Sequence, residues 1–189
     1  MLIVMSLVLK KGRPTDLAGR EPKEIRCYDF LDNLGMEYYH VDHRNMPAET
    51  MQACEAIDVA LGAAICKNLF LTNRQQTDFY LLMMPADKAF KTKHLTSQIN
   101  SARLSFASPE FMEKFLDIKP GSVSVLGLMN DNENNVRLLV DKDIVNSEYI
   151  GCHPCVNTTS LKVLTSDIFD KFISATKHRK TVVELPWEV

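Results

Sequence analysis

Hydrophobic positions follow two spacings along the chain, one typical of helices and one typical of strands. Apolar residues spaced three and four apart predict helices, and alternating or continuous apolar residues predict strands. The predicted helices span residues 23–34, 47–62, 91–99, 108–116 and 168–173, the last capped by residues 165–167. The predicted strands span residues 36–41, 64–71, 79–84, 123–128, 136–140, 149–152 and 158–164.

The order of these elements bears on the fold class. The strands at 64–71 and 79–84 are separated only by the polar residues 72–78, which predicts a hairpin. Other strands alternate with helices along the chain. This combination predicts a mixed α/β or α+β sheet rather than a doubly wound parallel sheet.

Composition limits the class of protein. A length of 189 residues suits one domain, and 46% hydrophobic with 24% charged residues is typical of globular proteins. With 22 Lys and Arg against 24 Asp and Glu, the formal net charge is −2, which excludes an overall positive field but not a local basic face. No apolar run in the sequence is long enough to span a bilayer.

The first residues and the cysteines bear on location. Residues 1–9 are apolar, but no basic residue precedes them, and Lys10 and Lys11 follow where a small-residue cleavage site belongs. We therefore expect an N-terminal extension or a first strand, with Met5 as an alternative start, and not a signal peptide. The 5 cysteines are odd in number and irregularly spaced, which indicates a reducing compartment and buried thiols. We expect a cytoplasmic protein.

Lys67 is the most informative single residue, because it interrupts a strand that is apolar on both faces. Burying an unpaired ammonium costs several kcal/mol, so such a lysine either reaches out at the strand end or points into a polar cleft. A snorkelling lysine at the margin of the sheet is the alternative interpretation. Asn68 faces the other side unless a bulge turns both side chains toward one cleft.

Two glycine-containing segments are further candidates. In residues 121–128, glycines flank small hydroxyl residues and allow a close backbone approach to a ligand, although a plain hairpin would explain the pattern as well. In residues 151–159, Cys152 and Cys155 have the spacing of a redox motif, but a strand follows them where such a motif needs a helix. No second Cys/His pair has the spacing for zinc, so no metal site is predicted. His153 suits a polar substrate pocket, and a turn histidine between buried cysteines is the alternative.

A basic stretch without acidic residues runs from 88 to 106, and residues 177–180 add a second one. Charge runs of this kind usually form solvated faces. Two such clusters on an acidic protein can nevertheless guide a phosphate backbone to one side of the molecule.

Four motifs, taken in order, resemble one known family. They are residues 67–71, 85–88, 121–131 and 153–159. This series resembles the YbaK/ProX family of aminoacyl-tRNA editing proteins, and most closely the PrdX-like prolyl-tRNA deacylases. The likeness runs from about residue 12 to residue 172.

The resemblance implies a single α+β domain at residues 12–175, with a central mixed, largely antiparallel sheet flanked by helices. Residues 1–11 would then be an extension or first strand, and residues 176–189 a C-terminal tail. The implied activity is hydrolysis of the ester of a mischarged tRNA, with alanine on proline tRNA as the usual substrate, and without metal or cofactor. The implied partner is the tRNA acceptor end, and docking on prolyl-tRNA synthetase is left open.

The resemblance also implies roles for individual residues. Lys67 is expected to be indispensable for catalysis, by substrate-assisted attack of water. The expected substrate-binding residues are Asn68, Gly121, Ser122, Val123, Ser124, His153 and Asn157. The basic stretch at residues 88–106, rather than the resemblance, supplies the expected tRNA-binding residues Lys88, Lys91, Lys93 and Arg103. Val125 stands where the family commonly has proline, which puts the aminoacyl specificity in question. A non-catalytic aminoacyl- or tRNA-binding module and a thiol oxidoreductase are the competing functions.

Overall fold

The fold consists of two β-sheets with helices packed around them, in a computed structural model that describes residues 7–44 and 50–187. The helices are α1 (Pro22–Asn33), α2 (Met51–Leu61), α3 (Thr92–Thr96), α4 (Pro109–Leu116), α5 (Lys142–Val145), α6 (Thr165–Asp167) and α7 (Ile173–Ala175), with a 3-10 helix at Val125–Asn130 and a π-helical turn at Ile168–Phe172. The strands are β1 (Leu9–Lys11), β2 (Tyr38–Asp42), β3 (Lys67–Asn73), β4 (Phe79–Met84), β5 (Leu104–Phe106), β6 (Val136–Asp141), β7 (Tyr149–Cys152), β8 (Thr159–Leu164) and β9 (Lys180–Val183). Across these two ranges, no helix is both long enough and apolar enough to cross a membrane.

The strands divide between a four-stranded and a five-stranded sheet. The four-stranded sheet has the order β1-β2-β8-β7 and is antiparallel throughout. The five-stranded sheet has the order β5-β3-β4-β6-β9, with antiparallel pairs around β3 and parallel pairs around β6. The predicted α+β class and the predicted β3–β4 hairpin are confirmed, although the strands form two sheets rather than one.

The hydrophobic core lies mainly between the two sheets and α1. Alternate residues of β3 and β4, such as Phe70, Leu81 and Met83, face this main core. The intervening residues of the same strands, such as Leu71 and Leu82, belong to a second, smaller cluster on the other face. Because β4 is buried along its whole length, its continuous apolar sequence follows from burial on both sides.

Local sequence signals account for the helix starts. Pro22 and Pro109 occupy the first turns of α1 and α4, where the missing backbone N–H removes no hydrogen bond. The side chain of Thr50 caps α2 by accepting a hydrogen bond from the Ala53 N–H at 3.1 Å. The predicted start of this helix at residues 47–49 lies outside the described residues, as do residues 1–6 of the predicted N-terminal segment.

The strand predicted at residues 123–128 is wrong, because this segment leads into the 3-10 helix. The hydroxyl of Ser124 accepts a hydrogen bond from the Leu126 N–H at 3.2 Å and so caps the turn. At Gly127, a Cβ would lie 2.6 Å from Cδ1 of Ile118, so glycine allows the turn to pack closely against the end of α4. Hydrophobic residues within the turn resemble a buried strand in sequence, because burial on all sides removes any periodicity.

The segment expected as a C-terminal tail is part of the fold. Residues 180–183 form the edge strand β9, which pairs in parallel with β6. Beyond it, Leu185 is buried, and its N–H donates to a carboxylate oxygen of Asp141 at 3.0 Å. The strand escaped prediction because most of β9 is solvent-exposed and its sequence shows no continuous apolar run.

Candidate active site

Lys67 is the first residue of β3 and therefore lies at the end of the strand, not inside the sheet. Its side chain is half-buried, and Nζ donates a hydrogen bond to the backbone oxygen of Lys88 at 3.2 Å. Lys67 pairs with Met84 of β4, so its side chain starts on the same face of the sheet as those of Leu69 and Leu71. This position allows the ammonium to stay near water while its aliphatic stem lies against the sheet.

The segment before Lys67 joins the two sheets. The Cys66 N–H donates to the Gly151 oxygen at 2.9 Å, and the Gly151 N–H donates to the Ala64 oxygen at 2.8 Å, which makes a parallel bridge between Ile65 and Gly151. A Cβ at Gly151 would lie 2.9 Å from the Ile65 Cα and 3.0 Å from the Ala64 oxygen. Any residue other than glycine at position 151 would force one of the two bridged backbones to move. A glycine inside a predicted strand signals such an approach, but sequence reasoning did not assign this role to Gly151.

The bridge fixes the relation between two of the expected site residues. Lys67 lies two residues beyond Ile65, and His153 lies two residues beyond Gly151. Because the bridged segments run parallel, both residues emerge at the same end of the junction between the sheets.

The ring of His153 is partly buried beside β8. Its Nδ1 lies 3.3 Å from the Thr159 oxygen and 3.4 Å from the hydroxyl oxygen of Ser160. Burial lowers the pKa of His153 from 6.5 to about 4, so the ring is neutral at neutral pH. A carbonyl oxygen only accepts hydrogen bonds, so we assign the proton to Nδ1, which leaves Nε2 as an acceptor. Sequence reasoning missed Ser160, which also contacts His43 Nε2 at 2.9 Å.

The Gly121 loop approaches the segment that follows His153. Gly121 has a φ of +91°, a conformation that favours glycine, and a Cβ there would lie 3.9 Å from the side-chain nitrogen of Asn157. The two expected substrate-binding residues are thus neighbours. The Ser122 N–H already donates to the Lys119 oxygen at 3.2 Å, which closes the turn.

The remaining residues of this loop are partly or fully buried. Val123 is half-buried and packs against the main core. Ser124 is buried, and its hydroxyl oxygen caps the 3-10 helix, so we see a structural use for this side chain. Val125, at the position of the family's usual proline, is completely buried in the main core.

Asn68 points away from Lys67, as alternation along a strand requires. It pairs with Met83, whose side chain belongs to the main core, and its amide nitrogen donates to the Cys66 oxygen at 3.0 Å. Its buried side-chain oxygen has no hydrogen-bond partner within the described part of the chain. Such an acceptor can receive a hydrogen bond from a bound hydroxyl or ammonium group.

A cleft of about 360 Å³ opens beside the start of β3, on the side of the Pro85–Asp87 turn and α5. Apolar residues such as Ile65 and Ile150 line it, together with the carboxyl groups of Asp58, Asp87 and Asp143. None of the expected substrate-binding residues is among those that line this cleft.

Lys88, expected to contact tRNA, has a different role. Its side chain is only 1% exposed, and Nζ lies 2.9 Å from one carboxylate oxygen of Asp141 and 2.7 Å from Asp143. The same ammonium donates to the Leu185 oxygen at 2.9 Å and lies 4.9 Å from the centre of the Trp187 ring. A lysine held in this way cannot reach a phosphate, so we correct its assignment to a structural ion pair.

The other expected tRNA-binding residues lie at the surface. Lys91 and Lys93, at the start of α3, are exposed and line an open depression together with Phe90 and Phe106. Arg103 is exposed immediately before β5. These three exposed cations lie near one edge of the five-stranded sheet, where they form a basic face.

The cysteine pair lacks the geometry of a thiol oxidoreductase. Cys152 is the last residue of β7, whereas a redox motif places its first cysteine at a helix N-terminus. Both thiols are buried, and burial raises the pKa of Cys152 above its ordinary value. The Cys155 sulfur lies 3.4 Å from that of Cys27 inside the core. No cluster able to hold a metal ion is found among residues 7–44 and 50–187.

Comparison with known proteins adds a family to this geometry. Residues 46–171 match the family described as the aminoacyl-tRNA editing domain. The Prolyl-tRNA editing protein ProX of Acetoanaerobium sticklandii is 32% identical over 155 residues, which is 82% of this chain and 93% of that protein. The Prolyl-tRNA synthetase associated domain-containing protein 1 of Xenopus laevis is 27% identical over 127 residues, which is 65% of this chain and 74% of that protein.

A solved structure extends the comparison to the fold. It is described as a candidate trans-editing enzyme for prolyl tRNA synthetase, and it superposes with a TM-score of 0.64 at 15% sequence identity. The match covers 88% of this chain and 99% of that one. At this level of identity the likeness concerns the fold alone.

Proposed function

The chain belongs to the aminoacyl-tRNA editing domain family, and on that premise we propose that it is a trans-acting aminoacyl-tRNA deacylase. The family resemblance recognised in the sequence motifs is thereby confirmed. The proposed reaction is hydrolysis of the ester that joins an incorrect amino acid to the terminal ribose of a tRNA.

One observation carries the proposal. Lys67 and His153 emerge at the same end of the parallel bridge between Ile65 and Gly151. A cation and a neutral imidazole at one end of a sheet junction suit an activated ester, which needs a placed water and a donor for the developing oxyanion.

The reaction balances without a covalent enzyme intermediate. The oxygen of water forms a bond to the acyl carbon, and the bond from that carbon to the ribose oxygen breaks. The proton that water gives up passes to the ribose oxygen, so the products are the free amino acid and the uncharged tRNA. We assign positioning of the water to the neighbouring ribose hydroxyl, which makes the hydrolysis substrate-assisted.

The side chains have distinct proposed roles. Lys67 donates from its ammonium to the oxyanion or to the phosphate of the terminal nucleotide. His153 is neutral, so its Nε2 can accept a hydrogen bond from the ribose hydroxyl or from water. Asn68 offers its free side-chain oxygen. Backbone N–H groups of the Gly121 loop, apart from that of Ser122, are the proposed oxyanion donors.

We propose alanine on proline tRNA as the substrate. A synthetase that binds proline rejects smaller amino acids poorly, because a missing methylene is worth only about 1–3 kcal/mol. A separate hydrolytic site that is too small for proline can then remove the misfit. The name of the Acetoanaerobium relative supports an editing role on prolyl-tRNA. The name of the Xenopus relative supports docking on prolyl-tRNA synthetase as a further proposal.

The test is a panel of tRNAs mischarged with alanine, cysteine or serine, assayed with wild type, Lys67→Ala and Lys171→Ala. Lys171 is an exposed lysine on the π-helical turn, paired with Asp167 at 3.1 Å, and serves as the control. We expect wild type and Lys171→Ala to release alanine from proline tRNA, and Lys67→Ala to be folded but inactive.

Two results would contradict this assignment in different ways. Wild-type rates in a folded Lys67→Ala variant would remove Lys67 from catalysis. Measurable tRNA binding without turnover of any mischarged tRNA, even at high protein concentration, would identify a non-catalytic binding module instead.

A further inference from the structure

An aromatic pair with cationic neighbours lies at the edge of the five-stranded sheet. The rings of Phe90 and Phe106 meet edge to face, with centroids 6.2 Å apart and planes at 65°. They line an open depression of about 520 Å³ together with Lys91, Thr92 and Lys93. Phe106 is 64% exposed, although phenylalanine is among the residue types that are most often buried.

The two rings differ in how they are held. Phe90 packs against the second hydrophobic cluster, so it forms a supported base for the depression. Phe106 ends the edge strand β5 and presents most of its surface to solvent. An aromatic pair with one supported ring and one largely exposed ring can act as a stacking platform, because every nucleobase has a face that can stack on an aromatic side chain.

The charge around the platform identifies its partner. Residues 88–106 contain no Asp or Glu, and Lys91, Lys93 and Arg103 are exposed in this stretch. Exposed aromatics interleaved with cations are typical of grooves that bind single-stranded nucleic acid, where the cations follow the phosphates.

We propose that this depression binds an unpaired nucleotide of the tRNA acceptor end, with its base stacked on Phe106 and its phosphate beside Lys93. The proposal rests on the proposed function, because it names how the same substrate is held upstream of its ester. The proposed stacking adds a nucleobase contact to the basic face, whose expected contacts with tRNA are otherwise only those of cations with phosphates.

The platform and Lys67 lie on one face of the sheet. Phe106 pairs with Leu71 of β3, so the two side chains project to the same side, and Lys67 lies four residues before Leu71 on that side. Four residues of strand correspond to about 13 Å. A few unpaired nucleotides can therefore run from the platform to the ester without leaving this face.

Direct binding tests the platform. The probe is a short single-stranded RNA ending in CCA and labelled with fluorescein at its 5′ end, titrated by anisotropy at several salt concentrations. We expect Phe106→Ala to weaken binding at least about fivefold with an unchanged salt dependence, and Phe106→Trp to retain binding. Lys93→Ala should reduce the slope of log K against log salt by about 0.7. The control Val182→Ala, an exposed apolar residue on the opposite edge strand, should bind as wild type does.

Deacylation separates this proposal from the proposed function. Phe106→Ala should raise KM for alanyl-tRNA at least about fivefold with kcat unchanged, and should hydrolyse 3′-alanyl-adenosine, which lacks the upstream nucleotides, as wild type does. If wild type hydrolyses both substrates and Phe106→Ala matches it on both, the platform is refuted while the deacylase stands. If wild type binds the RNA through Phe106 but hydrolyses neither substrate, the deacylase is refuted and the platform stands. Failure of wild type to bind the RNA, or equal weakening by Val182→Ala, would also overturn the platform.

Discussion

The buried ion pair of Lys88 offers the sharpest test of the structure, through the substitution Lys88→Met. Burial lowers the pKa of Lys88, but hydrogen bonds to Asp141 and Asp143 outweigh it, and the pKa is raised overall. The lysine therefore stays charged and compensates Asp141, which is completely buried. Methionine has a similar length but no charge, so the substitution leaves the Asp141 carboxylate buried without its cation.

The expected cost is large. Removing one partner of a buried ion pair lowers the free energy of unfolding by about 3–5 kcal/mol. For a chain of this size, each kcal/mol shifts Tm by about 2–4 °C, so the expected fall in Tm is about 6–20 °C. The backbone oxygen that receives the Lys67 hydrogen bond belongs to residue 88 and is kept in the variant, so Lys67 is disturbed only where the backbone at residue 88 shifts.

Urea unfolding at neutral pH measures this cost. Lys171→Met is the matched control, because Lys171 forms an exposed ion pair with Asp167 at 3.1 Å. The control should lose no more than about 1 kcal/mol. The double variant Lys88→Met with Asp141→Leu removes both charges of this pair and should recover part of the loss, but not the hydrogen bonds that Asp141 accepts from the backbone N–H groups of Asp143 and Leu185.

A different result would refute the reasoning. If Lys88→Met unfolds within about 0.5 kcal/mol of wild type, the ion pair is not buried as described. If it also reduces the slope of log K against log salt for RNA binding by about 0.7, Lys88 contacts phosphate after all, as the basic stretch in the sequence had indicated.

Three further predictions concern the junction between the sheets. Gly151→Ala places a Cβ 2.9 Å from the Ile65 Cα, so we expect the free energy of unfolding, measured in urea, to fall by about 1–3 kcal/mol. We also expect the deacylation rate to fall about a hundredfold. Wild-type values for both quantities would contradict the bridge. The pKa of His153 is lowered by burial to about 4, so the unfolded chain binds the proton first, and stability should fall by up to about 3 kcal/mol as pH drops from 6.5 toward 4. His153→Gln should lack this component, and equal pH slopes in the two proteins would refute the burial of a neutral ring. Replacing Cys152 and Cys155 together by alanine should preserve deacylation in a folded protein, and a loss of activity that tracks neither stability nor fold would reopen the redox alternative.

Elements determined by local sequence were predictable. The β3–β4 hairpin follows from two apolar runs around a polar connection, and the start of α4 follows from Pro109. The expected site residues Gly121 and Asn157 lie side by side. Their proximity could be expected from the sequence because the order of the motifs identifies the family, which no single residue does.

Features that depend on distant partners were not predictable from a local pattern. Lys88 stands in a basic stretch, and only Asp141, 53 positions later, makes it a buried residue. The edge strand β9 depends on a parallel partner, β6, for its pairing. Gly151 is an ordinary glycine in sequence until its bridge to Ile65 shows why a side chain is excluded.

The interleaving of the two sheets has a consequence for synthesis on the ribosome. In the four-stranded sheet, β2 pairs with β8, so Tyr38 cannot form its pair until Val163 has been synthesised. The β3–β4 hairpin lies between them in sequence and can pair as soon as it leaves the exit tunnel. Nascent chains should therefore carry a formed hairpin and an unpaired β2 edge until β8 has left the exit tunnel, and this exposed edge needs chaperone protection during that interval.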